Sequence, residues 1–105
     1  MKTKEVKLIV KIHNANHKKI VVITDSNLIG KKFEEKKLQL DLTSDFYKGE
    51  EMSALKIKDI IPTAYIVNIT GRHSIAFAQQ ERIIDANSRI ITIAKVPHTQ
   101  IMFAG

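Results

Sequence analysis

Ala64-Tyr-Ile-Val-Asn-Ile-Thr-Gly-Arg-His-Ser-Ile-Ala-Phe-Ala-Gln-Gln80 reads as a strand that runs through a glycine into a helix. Tyr65, Val67 and Ile69 alternate with Ile66, Asn68 and Thr70, which is strand periodicity. Gly71 punctuates the run. Beyond it Ile75 and Ala78, with Phe77 beside them, share one face of a helix of about ten residues. Asn68 falls among apolar neighbours, so its amide requires a hydrogen-bond partner. The N–H groups of Arg72, His73 and Ser74 are expected to point outward at the helix start, where an anion can meet them. The stretch lacks the further glycines of a dinucleotide loop and the Gly-Lys-Ser/Thr of a P-loop. The plainer alternative is a strand-to-helix turn with Asn68 capping backbone groups.

Upstream, Val6, Leu8, Val10 and Ile12 share one face of a first strand, with Lys7, Lys11 and His13 on the other. Asn14–His17 supply turn residues before a second apolar run, Ile20–Thr24, so the two runs are expected to form an antiparallel hairpin. Its tip carries His13, His17, Lys18 and Lys19. The His13/His17 spacing spans a strand end and a turn, with no third ligand indicated, so no metal site is expected. Asp25 and Ser26 are cap-type residues for a single turn ending at Gly30. Leu38, Leu40 and Leu42 alternate with polar residues as a third strand. Phe46-Tyr47 anchors the loop that follows. Glu50–Ile61 is partly helical in pattern, with Glu50 and Glu51 placed near the helix start and Pro62 forcing its end.

Downstream, Asp85, Asn87 and Ser88 form a turn, and Ile90–Ala94 reads as a buried strand. Pro97 cannot donate to a ladder, so Val96-Pro-His-Thr-Gln100 is expected to be an edge or a loop before a last apolar run, Ile101–Phe103. The sum is an α+β domain, a small two-layer sandwich of about six short strands with an N-terminal hairpin and one or two helices.

The 105 residues fit a single domain, 1–105. No apolar run approaches a membrane span and charge interrupts the N-terminus, so we expect a cytoplasmic protein without a membrane partner. The absence of cysteine removes disulfides and thiol chemistry. The net charge of +6 is uneven: residues 1–37 hold ten lysines against four carboxylates, whereas residues 38–105 balance at seven of each sign. Clustered lysines favour a polyanionic partner, since phosphate contacts release counterions.

Leu28-Ile-Gly30-Lys-Lys-Phe33, Leu38-x-Leu40, Phe46-Tyr47-x-Gly49, Asn68-x-x-Gly71 and Val96-Pro-His-x-Gln100 occur in this order. The series resembles the archaeal family catalogued as domain of unknown function 424. The resemblance covers most of the chain after Val21 and implies a small two-layer α+β domain with no established activity or cofactor. Two departures stand out. Ala94-Lys95 replaces a glycine pair usual in the family before Val-Pro-His, and Arg72 follows the glycine where the family tends to carry an acidic residue.

The leading expectation is a non-enzymatic accessory protein that contacts RNA or a ribonucleoprotein, related to translation. Lys7, Lys11, Lys18, Lys19, Lys31, Lys32, Lys36 and Lys37 are the contact residues. With Phe33 the sole aromatic among these lysines, backbone contacts should dominate over base stacking. The alternative is a small enzyme or ligand-binding domain with a polar pocket formed by Asn68, Gly71, Arg72, His98 and Gln100. It requires the two motifs to converge, His98 being the group suited to acid–base work. A third reading is a protein–protein interaction module using the edge near Pro97 or an exposed Ile101–Phe103 patch. No catalytic residue set, cofactor or metal is assigned, and the oligomeric state is open.

Overall fold

The structure, a computed structural model, describes residues 7–103. Val6, which the sequence pattern places on the first strand, lies outside the described residues, as do Lys2 and Lys4.

The first hairpin forms as its alternation dictates, with β1 (Lys7–Ala15) antiparallel to β2 (Lys18–Asp25). Asn16 and His17 make the two-residue turn, both at positive φ. The turn type that suits the twist of a tight hairpin needs φ > 0 at both positions, and Asn is among the residues that tolerate it. A single 3-10 turn, Ser26–Leu28, leads into a separate hairpin of β3 (Lys32–Glu35) and β4 (Leu38–Asp41).

Glu50 and Glu51 are not at a helix start. They belong to β5 (Glu50–Ser53), which adds to β1 with Ile9 opposite Glu51 and Val10 opposite Glu50. Gly49 explains the close approach, since a Cβ there would run into the backbone of Val10. Ser53 then caps α1 (Ala54–Ile60), accepting a bond from the Lys56 N–H, and the helix stops before Pro62 as expected.

The quoted stretch becomes β6 (Ile66–Thr70) and α2 (Arg72–Gln80). β6 lies parallel to β2, with Ile23 opposite Ile69 and Thr24 opposite Thr70. β7 (Ile91–Ile93) and β8 (Val96–Met102) complete a six-stranded sheet in the order β5-β1-β2-β6-β8-β7. The protein is α+β, with both helices on one face of a mixed sheet.

Two expectations at the C-terminal end are corrected. The Ile90–Ala94 strand is short and lies at the sheet's edge, with Ile91 and Thr92 exposed and Ile93 buried. The Pro97 segment is neither edge nor loop, for β8 sits inside the sheet between β6 and β7. The register continues to Gly71 opposite Pro97, where the Gly71 N–H donates to the Pro97 carbonyl. An ordinary residue at 97 would return that bond to the Gly71 carbonyl, but that carbonyl already accepts from Ile75 as the first bond of α2. The proline therefore removes no ladder bond, because its partner is engaged elsewhere.

Leu8, Val10, Val21, Ile23, Val67 and Ile69 face the helices, where Ile57 of α1 and Ile75 and Ala78 of α2 close the main core. On the opposite face a smaller cluster, Leu40, Leu42, Ile93 and Val96, seats the β3–β4 hairpin against the β7–β8 end of the sheet. Tyr47 packs on that cluster and Phe46 stacks on His13, so the aromatic pair does anchor its loop. Ile101 and Phe103 pack against the main core and leave Met102 exposed alone, so no apolar tail patch forms among the described residues.

Candidate functional site

Asp25 is the last residue of β2 on the helix face, and this decides what the Gly71 junction does. Its Oδ2 accepts from the His73 N–H at 3.0 Å. Its Oδ1 accepts from the Ser74 N–H at 2.8 Å and from the Ser74 hydroxyl at 2.7 Å. Asp25 is 4% exposed. The expected outward-pointing N–H groups of His73 and Ser74 are thus already satisfied, by a carboxylate brought from another strand. Gly71 itself offers no side-chain cap to α2. It sits at φ 109° against the Asp25 carboxyl, and a Cβ there would overlap it. Glycine is required here by conformation and by space together. A negative charge at the helix start is also where the helix dipole favours it.

Around this junction lies a cleft of about 360 Å³ at the carboxyl ends of the parallel pair β2 and β6. Asn27 and Leu28 of the 3-10 turn form one wall and the Ala94-Lys95 turn of β7–β8 the other. Buried Gly71, half-buried Pro97 and the exposed Arg72 and His73 also line it. Both turn residues have positive φ, 48° at Ala94 and 71° at Lys95. A glycine pair would suit such a turn without strain. Here the strained geometry is held from outside, by Glu35 of β3, whose Oε1 accepts the Ala94 N–H at 2.7 Å.

The other candidate residues form a polar track across β6 and β8. The register sets Asn68 opposite Gln100 and Thr70 opposite His98. Both are pairs without mutual backbone bonds, in which side chains come closest. The Asn68 Nδ2 donates to the Gln100 Oε1 at 3.4 Å, and the Thr70 Oγ1 lies 2.7 Å from the His98 Nδ1. The Thr70 hydroxyl also reaches the Asn68 Oδ1 at 3.4 Å. Its one proton serves one of these two acceptors, which ties the His98 tautomer to the Asn68 bond. Burial lowers the His98 pKa below its ordinary 6.5, because the charged ring is poorly solvated there. Beside this row, Thr24 Oγ1 is fully buried and has no hydrogen-bond partner among the described residues.

Side-chain parity separates the two motifs in space. Asn68, Thr70, His98 and Gln100 face away from the helices, while Gly71 and Arg72 border the cleft at the sheet's end. His98 follows the residue bonded to Gly71, so the motifs are neighbours in register. The cleft nevertheless takes Gly71 and Arg72 without Asn68, His98 or Gln100. Sequence reading did not find Asp25 or Lys95 as cleft residues. Asp25 reaches its partners across 48 and 49 positions, which no local pattern can signal.

The lysines expected at the surface divide by the end of the sheet they occupy. Lys18 lies over the Tyr65 ring at 4.5 Å and Lys19 bonds the Thr63 hydroxyl at 3.1 Å, both at the start of β2. Lys31, Lys32, Lys36 and Lys37 follow the end of β2, on and around the β3–β4 hairpin. Lys7 and Lys11 lie on β1, and Lys7 pairs with Glu51 at 3.8 Å. β2 is eight residues long. At about 3.3 Å per residue its ends stand roughly two to three Debye lengths apart at physiological salt.

A family model described as a protein of unknown function, DUF424, matches residues 12–103. The chain belongs to that family. A crystal structure of an uncharacterized conserved protein from Methanopyrus kandleri has the same fold, with a TM-score of 0.76 at 20% identity over 91% of this chain and 90% of that one. No curated protein matches the chain. Among the described residues no helix is long and apolar enough to cross a membrane.

Proposed function

We propose that this DUF424 protein is a non-enzymatic, translation-related accessory protein that contacts RNA or a ribonucleoprotein through its basic N-terminal third. The observation that carries the reading is the state of the lysine-rich first third. Of its eight described lysines, Lys18, Lys31, Lys36 and Lys37 are exposed and make no ion pair among the described residues, and Lys11 and Lys19 are half-exposed and equally unpaired. Lysines free of carboxylate partners are the ones able to exchange counterions for phosphates. The ligand-pocket reading needs Asn68, His98 and Gln100 to open onto the cleft with Arg72. Their bonds within the β6–β8 track favour a structural use instead.

The test is sedimentation of the full chain with ribosomal particles, with and without nuclease, at low and raised salt. Association that is lost on nuclease treatment and weakens as salt rises supports the reading. No association at low ionic strength overturns it.

A further inference from the structure

Resting on that reading, we infer that the RNA-contact surface is the cleft end of the molecule, centred on Arg72 and Lys95 with the Lys36-Lys37 tip, and that it takes a phosphodiester backbone. Three carboxylates near this end are engaged. Asp25 accepts from the start of α2, Glu35 accepts the Ala94 N–H, and Glu34 pairs with Lys32 at 3.4 Å. Arg72, Lys95, Lys31, Lys36 and Lys37 make no ion pair among the described residues, and all five are exposed. The Glu35–Ala94 bond brings the β3–β4 tip against the β7–β8 turn, so lysines from the basic first third join cations from the balanced remainder. At the opposite end Lys18 is over Tyr65 and Lys19 on Thr63.

The shape of the site selects the ligand class. With Asp25 on the His73 and Ser74 N–H groups, the helix start has lost those two donors for cradling a terminal phosphate. Neither Phe nor Tyr lines the cleft, and its planar side chains are His73 and the cationic Arg72, so it lacks the row of aromatic rings on which single-strand readers stack successive bases. What remains is a set of long cationic side chains around a concave end. That arrangement suits successive phosphates along a strand, read as charge rather than as sequence.

The experiment is fluorescence anisotropy of the full chain with a labelled RNA hairpin bearing single-stranded flanks, from about 50 to about 200 mM salt. Arg72→Gln/Lys95→Gln is expected to weaken binding about tenfold or more and to lower the salt slope by about 2, one unit per lost phosphate contact. Lys18→Gln/Lys19→Gln should lose less affinity and less salt slope than the cleft pair, since those lysines lie well beyond a Debye length from it. Far-UV circular dichroism verifies folding, and Lys36→Gln/Lys37→Gln at the exposed tip provides an independent pair expected to weaken binding in the same direction. If the Lys18/Lys19 pair loses affinity and the cleft pair does not, the inference falls while the RNA reading stands. If wild type binds no RNA, the reading itself falls. If polyglutamate competes as well as unlabelled RNA of equal charge, the surface is a general polyanion face and the inference is overturned.

Discussion

Replacing Asp25 by alanine should be among the most damaging single substitutions in this chain. Three bonds end on its carboxylate, from the His73 N–H, the Ser74 N–H and the Ser74 hydroxyl. Loss of a helix cap costs about 1–2 kcal/mol, and loss of a carboxylate from the helix start adds about 0.5–1 kcal/mol. Ser74 is fully buried, so its hydroxyl would be left without this partner, at about 1–3 kcal/mol. Together these give about 2.5–6 kcal/mol, a large share of the ~5–15 kcal/mol that holds a domain together. For a chain of 105 residues this corresponds to a fall in Tm of at least about 10 °C.

Urea unfolding followed by circular dichroism measures the loss, and two further variants make it diagnostic. Asp25→Asn keeps an oxygen for Ser74 but turns an NH2 toward the His73 N–H, so about half the loss is expected. Gly71→Ala places a methyl against the Asp25 carboxyl at φ 109°. In the native background it suffers both backbone strain of about 1–3 kcal/mol and displacement of the carboxylate; with Asp25→Ala already present only the strain remains. The double variant should therefore be less destabilised than the two singles predict, by about 3 kcal/mol. A loss below about 1 kcal/mol for Asp25→Ala, or additive singles, would refute the claim that this carboxylate is the cap of α2.

Ala94→Gly should raise stability by about 0.5–1 kcal/mol, since relief of the left-handed strain at φ 48° exceeds the added entropy of glycine in the unfolded chain; a lower urea midpoint would count against a strained turn. Pro97→Ala restores an N–H that finds the Gly71 carbonyl already taken by Ile75, so it should gain no ladder bond and lose about 0.5–1 kcal/mol through the freer unfolded chain. A stabilised variant would show that the ladder had been waiting for that donor. His98 has its folded pKa below 6.5, so the unfolded chain binds the extra proton first and stability falls as pH drops through 6.5. His98→Gln should flatten that part of the curve, read from urea midpoints across the range, and an unchanged slope would remove His98 as its cause.

The elements legible in the sequence are those whose physics is local. The alternation of Leu8, Val10 and Ile12 in β1, the apolar run of β2, the break at Gly71 and the stop at Pro62 all depend on near neighbours. Each appears in the fold where expected. The misreadings at Glu50-Glu51 and Pro97 share one cause. In each a distant element decides the outcome: β1 offers Glu50 and Glu51 a ladder, and α2 takes the carbonyl that an N–H at 97 would have needed. The polar motifs were visible as motifs, because Asn68 stood among apolar residues and Val96–Gln100 held polar groups beside a proline. Their pairing was not visible, since register between β6 and β8 is set by the whole sheet. Asp25 reads as a capping residue for the turn beside it, when it caps a helix 48 residues away.

That reassignment also changes what kind of binding the Gly71 junction can support. A helix start with free N–H groups holds one phosphate through fixed donors, and such contacts are set mainly by geometry. A helix start filled by a buried carboxylate offers an incoming anion no donors from His73 or Ser74, and a nearby negative charge besides. Attraction at this end must then come from Arg72, Lys95 and the Lys36-Lys37 tip, exposed side chains long enough to follow a chain of phosphates. Contacts of this kind add through counterion release, so their signature is a salt slope that scales with the number of cations engaged. Arg72 thus gains its meaning from Asp25: the carboxylate answers the helix, and the exposed arginine is left to face outward.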